Sequence, residues 1–179
     1  MEWKDVSTSV TEPITHDDVK DFMGYPSTDT SQDDTIDNMI IAARKWLEKR
    51  TGLSVVSKSY KAYFEEEDAE DGWYELPFSP VSDTPAITVS ISGTSTTFQQ
   101  RGLKRVRICP DSVFSTINVG QSYASYIEVT FDAGEDSEEA NDILLHLVSI
   151  SFNDRNGGNL TASKIPYSLL QRIDLLTEL

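Results

Sequence analysis

The chain has 179 residues, 38% of them apolar and 25% charged, which predicts one domain with room for a modest core. Thirty Asp and Glu stand against fifteen Lys and Arg, a formal net charge of −15; this argues against roles built on gripping nucleic-acid phosphate, which need cations to displace counterions. One cysteine, Cys109, excludes an intrachain disulfide and fits a reducing cytosol, the opening Met-Glu-Trp-Lys-Asp lacks a signal-peptide pattern, and no apolar run approaches the roughly 18 residues of a membrane helix.

The first predicted helix opens at Thr15, placed as an N-cap, with Asp17 and Asp18 in the first turn, where carboxylates meet the positive end of the helix dipole. Val19, Phe22 and Met23 share one face at helical spacing, and Gly24, Tyr25 and Pro26 end the element. Residues 27–35 are polar and read as a loop, with a new cap near Ser31 or Asp33. The second helix has the clearest pattern. Ile36, Met39, Ile40, Ala43 and Leu47 form one continuous apolar stripe. Asp33, Asp34 and Asp37 crowd its start, Arg44, Lys45, Lys49 and Arg50 its end, and Gly52 is a natural stop.

From Leu53 the period changes to two. Val56, Lys58, Tyr60, Ala62 and Phe64 alternate with Val55, Ser57, Ser59, Lys61 and Tyr63, a β-branched and aromatic strand pattern. The run Glu65-Glu66-Glu67-Asp68-Ala69-Glu70-Asp71-Gly72 reads as a solvated hairpin tip or loop. Residues 73–78 resume strand character, with Pro77 and Pro80 marking an edge or a turn. Residues 86–91 form another strand, 93–102 a polar loop, and 104–108 and 126–131 complete a sheet of about five or six short strands. Asp136 or Ser137 then caps a third long helix with Glu138 and Glu139 in its first turn. Its buried stripe is Ile143, Leu144, Leu147, Val148, Ser151 and Phe152, and Arg155 with Gly157-Gly158 ends it. A last helix starts near Tyr167 and carries Leu169, Leu170, Ile173 and Leu176, with Leu175 and Leu179 beside them.

No catalytic constellation emerges. His16 and His146 lie in different helices with no His or Cys at ligand spacing, which argues against zinc. Cys109, beside Pro110 at a strand end, reads as a small buried hydrophobe. A calcium loop fitted to the acidic run places Ala69 on a ligand position and Phe78 where a bidentate glutamate is needed, so the motif fails. Among thirty acids a carboxylate pair for hydrolysis can always be imagined, but no spacing selects one. Phosphate-binding loop, dinucleotide fingerprint and nucleophile elbow are all missing. The expectation is a protein without catalytic, cofactor or metal residues; a hydrolase using acidic residues is the minor alternative.

One ordered set of residues does carry a resemblance. Glu12-Pro13-Ile14-Thr15 with Val19-Lys20, then Asp33-Asp34, Ile36 and Ala42-Ala43-Arg44-Lys45-Trp46-Leu47-Glu48, then Thr51-Gly52-Leu53, resembles the head–tail connector (adaptor or head-completion) proteins of tailed bacteriophages. Tyr60, Leu76-Pro77 with Pro80-Val81, Val129-Thr130-Phe131-Asp132-Ala133-Gly134, and Ile165-Pro166 followed by Leu169-Leu170 are similar to later segments of that family in the same order. The chain departs from it in a longer, more acidic middle over 65–125 and in Phe152-Asn153-Asp154-Arg155-Asn156 at the end of the third helix.

The resemblance implies an α+β fold: a small bundle of three to four helices with an inserted antiparallel sheet or hairpin region. It implies a single connector domain over 1–179, helical over 12–52 and 135–179 and β-rich over 53–134. It implies a structural virion protein of the neck, made in the host cytoplasm, that forms a typically dodecameric ring beneath the portal, extends the DNA channel and joins a stopper or tail-terminator protein. DNA would pass without sequence-specific binding, and no membrane is involved. Another neck or tail-completion protein, stopper-like, is the runner-up. Within that frame Glu65, Glu66, Glu67, Asp68, Glu70 and Asp71 either line the channel or face solvent, a wall of like charge letting the duplex slide. Tyr167, Leu169, Leu170, Ile173, Leu176 and Leu179 either dock onto the portal or pack within their own subunit.

Overall fold

The computed structural model describes residues 1–8, 10–83, 86–102, 105–111, 126–154 and 160–176. The chain divides into two compact units, one from Met1–Val10 with Ser57–Gly134, the other from Thr11–Val56 with Glu135–Leu179. Each closes its own apolar core. The fold is α+β, with four helices and two antiparallel sheets among the described residues.

In the helical unit, α1 (His16–Met23) is short and strongly punctuated. Thr15 caps it: its hydroxyl accepts from the Asp18 backbone N–H, and the Asp18 carboxylate returns the bond to the Thr15 N–H at 2.8 Å. That reciprocal capping box, reinforced by the Thr15 hydroxyl donating to Asp18 at 2.7 Å, holds the Asp18 carboxyl below its usual range. Gly24 ends the helix in the left-handed region at φ 73°. The second helix, α2 (Asp33–Thr51), carries its stripe of Ile36, Ile40, Ala43 and Leu47 fully inside and also stops on a left-handed glycine, Gly52. Ser137 caps α3 (Glu138–Asn153), whose Ile143, Leu144, Leu147 and Val148 are wholly buried. The last helix, α4 (Tyr167–Leu176), adds Leu169, Ile173 and Leu176 to the same core. No helix among the described residues is long and apolar enough to cross a membrane.

The other unit is two sheets around one core. The larger contains β1 (Glu2–Asp5), β2 (Lys58–Phe64), β4 (Thr88–Ile91), β5 (Thr94–Thr96) and β8 (Ile127–Ala133) in the order β1-β2-β8-β4-β5. The smaller runs β3 (Tyr74–Glu75), β7 (Arg107–Pro110), β6 (Phe98–Arg101). Strict alternation puts Tyr60, Ala62 and Phe64 of β2 on the core face, opposite Phe131, Val129 and Ile127 of β8. Tyr60 stacks on Phe78 at 4.4 Å and on Phe131 at 5.6 Å, and Phe64 meets Tyr74 of the smaller sheet at 5.3 Å.

Three sequence expectations are corrected here. Residues 93–102 are not a loop: Ser92 (φ 49°) and Gly93 (φ 84°) make a tight hairpin into β5, and β6 follows. The N-terminal β1 was not expected as a strand. Both misses have one cause, because β1, β5 and β6 are sheet edges with mostly exposed side chains and so lack apolar alternation. The count of strands is accordingly eight among the described residues rather than five or six. Phe22 is 41% exposed and meets His146 edge to face at 4.9 Å. The expected end of the third helix at Arg155 and Gly157-Gly158 lies outside the described residues, as do Lys104 and Leu179.

Candidate functional site

The first block of residues that carries the resemblance, 12–53, lies inside the helical unit. Arg44 of α2 is buried, and its guanidinium is shared between two carboxylates. Glu12 accepts from Nε at 2.7 Å and from Nη2 at 2.9 Å; Glu48, one turn on, accepts from Nη1 at 3.0 Å. The second oxygen of Glu48 accepts the backbone N–H of Val55 at 3.3 Å. One planar cation therefore ties the entry segment before α1, the body of α2 and the exit segment after it. Thr51 adds a hydroxyl bond to the Leu47 carbonyl at 2.8 Å, just before Gly52 turns the chain.

A second junction joins α1 to the start of α2. The Lys20 ammonium is buried against the Asp33 carboxylate, with Asp17 at 3.7 Å, and the hydrogen bond to Asp33 raises its pKa. His16 sits beside it, with Nδ1 3.0 Å from Asp37 and Nε2 3.7 Å from Asp33. The hydrogen bond to Asp37, joined by the field of Asp33 and Asp17, pushes the imidazole pKa up. Of these, Lys20 and Asp33 belong to the resemblance, and their chemistry is clamping.

The acidic segment is ordered by its own carboxylates. Glu66–Asp68 form one tight helical turn, with the Asp68 carboxylate accepting from the Glu65 N–H at 2.8 Å. Asp71 (φ 52°) and Gly72 (φ 81°) then make the two-residue turn that brings Glu70 opposite Trp73. Glu65, Glu66, Glu67, Glu70 and Asp71 are exposed and Asp68 is half-buried.

The structure separates the expected docking residues on α4. Leu169, Ile173 and Leu176 face the core of their own unit, and Leu170 is half-buried against it. Tyr167 is 74% exposed and Leu175, beside the expected set, 58%. Two charged pairs fasten the helix to its unit: Arg50–Asp174 at 2.9 Å and Arg172–Asp142 at 2.8 Å.

A third surface was missed by sequence reasoning. On the smaller sheet Glu75 pairs opposite Arg107, and Arg107 opposite Arg101, so the three side chains share one face. Arg107 reaches Glu75 at 3.0 Å and Glu70 at 3.5 Å; Arg105 reaches Glu75 at 3.9 Å; Arg101 lies over the Trp73 ring at 4.6 Å. Gly102 (φ 93°) makes the turn that sets Arg101 opposite Arg107, and an added Cβ there would stand 2.0 Å from the Arg105 carbonyl oxygen. The signal was present as four cations in seven residues, 101–107.

No protein-family model matches the chain, and none of the curated proteins matches it. Solved structures do. A chain from the neck of an empty gene transfer agent particle, computed with C6 symmetry, superposes with a TM-score of 0.71 at 17% identity, covering 98% of this chain and 94% of that one. A chain from the virion of a native gene transfer agent particle gives the same values. A chain from the native particle's neck, computed with C12 symmetry, gives 0.67 at 18% identity over the same shares. This chain has the fold of those neck and virion chains, over nearly its whole length.

Proposed function

We propose that this protein is a structural component of a phage-like neck, a head–tail connector that assembles as a ring beneath a portal and continues the DNA channel toward the tail. The observation that carries the reading is the shared fold across 98% of the chain with gene transfer agent neck chains. Three features support it. Glu12, Arg44 and Glu48 of the connector resemblance clamp the segment before α1 to α2. Symmetric neck assemblies are the setting of the fold's neighbours. The formal charge of −15 suits a wall past which duplex DNA slides, with the turn at Glu65–Asp71 as its candidate lumen-facing part.

In this reading α4 makes the portal contact through its outer side. Tyr167 and Leu175 supply exposed apolar area there, while Leu169, Ile173 and Leu176 keep the helix on its own unit. The protein acts by assembly and not by catalysis. The test is reconstitution with the portal protein of the same particle, followed by mass photometry and electron microscopy. The expected result is a ring of copies seated coaxially on the portal. A chain that neither binds the portal nor enters a neck assembly contradicts the reading.

A further inference from the structure

The proposed ring sets a physical problem. Copies that each carry −15 repel one another, and a contact that brings opposite charges together offsets that repulsion. The helical unit is the more acidic partner: residues 11–56 and 135–179 hold 17 Asp and Glu against eight Lys and Arg, a net −9. Its strongest concentration lies on α1, the following turn and the start of α2. Asp17, Asp21, Asp29, Asp34 and Asp37 are all exposed there. The one lysine within that stretch, Lys20, is buried and already committed to Asp33.

The sheet unit carries the complementary feature. The arginine row on the smaller sheet gathers three cations beside two carboxylates, with Arg107 reaching Glu75 and Glu70, Arg105 reaching Glu75, and Arg101 exposed over Trp73, and it is built. Gly102 fixes the turn, cross-strand pairing aligns Arg107 with Arg101, and the Trp73 ring supports the Arg101 guanidinium. An arginine held over an indole is prepared to take a carboxylate, and Trp with Arg is the composition of interface hot spots.

We infer that the arginine row of one copy, Arg101 with Arg105 and Arg107, docks on the acidic α1–α2 surface of the next, making a head-to-tail contact. The inference rests on the ring reading above and adds the surfaces that form it. A contact of this kind joins two different faces of the chain. Its strength falls with ionic strength, because the charges on both sides are exposed.

Paired charge reversals test it. One variant carries Arg101→Glu with Arg105→Glu, the other Asp21→Lys with Asp34→Lys; circular dichroism melts confirm that each is folded. At low ionic strength the unaltered protein should self-associate in sedimentation velocity, and each variant alone should do so roughly tenfold more weakly or worse. Mixed in equal amounts, the two variants should co-assemble, since every acidic face then meets a basic one. Unaltered protein that stays monomeric at low salt overturns the inference, as does a reversed variant that associates normally or a mixture that fails to assemble. Arginine reversal that leaves association intact but abolishes retardation of duplex DNA also overturns it and assigns the row to nucleic acid. Rings that form on the portal despite any of these failures leave the connector reading standing and remove only this contact.

Discussion

Arg44 shows what the connector resemblance encodes. A buried guanidinium with two carboxylates is stable only while its partners stay in place, because an uncompensated charge in the interior is costly. Glu48→Ala removes one partner and also strips the Val55 N–H of its acceptor. The expected loss is about 3 kcal/mol, read as a lowered urea midpoint against Glu48→Gln, which keeps hydrogen-bonding capacity. His16 gives the pH counterpart. Its folded pKa is raised by the bond to Asp37, so its contribution is full below the unfolded value, about 6.5, and is lost as pH rises through the raised one. Stability measured across that window should decline with pH in the unaltered protein and lose this component in His16→Asn; an identical profile would show that His16 is not coupled to folding. The Thr15 cap was legible in the sequence, since capping is local and uses residues three apart. The Glu12–Arg44 pair was not, because 32 residues separate the partners and only folding brings them together.

Helices with one deep apolar stripe were readable from spacing alone, and the structure places α2 and the start of α3 within a residue or so of where the pattern puts them. Strands were readable where one face is buried, as in β2 and β8, and unreadable at the sheet edges, where both faces meet water. Arg101 fell in what looked like a polar loop, while Arg105 and Arg107 lay in the expected strand at 104–108, so the row appears only when β6 pairs with β7. Gly102 is the critical position of that hairpin. Gly102→Ala must move backbone or abandon the turn, and should cost at least about 2 kcal/mol while a Gly24→Ala control, which meets open space, suffers only the positive-φ strain. On α4 the two sides separate by substitution. Ile173→Ala should destabilise the helical unit by roughly 2–5 kcal/mol, whereas Tyr167→Ala should leave stability within about 0.5 kcal/mol and weaken portal binding. Equal effects of the two on stability would mean that α4 is not packed as described.

At the scale of the molecule, the chain spends its apolar residues on two separate cores and its charge on the surface. Composition revealed the acidity but not its distribution, which depends on the cations at 101–107 falling in the sheet unit and on the aspartates at 17–37 clustering in the helical one. The central claim is that this chain works as a ring-forming neck protein, and mass photometry of the purified protein with and without the portal tests it most directly. The account predicts one discrete complex that appears on adding portal and has the mass of a portal carrying a full ring of copies. A protein that stays strictly monomeric and never shifts the portal mass would contradict it.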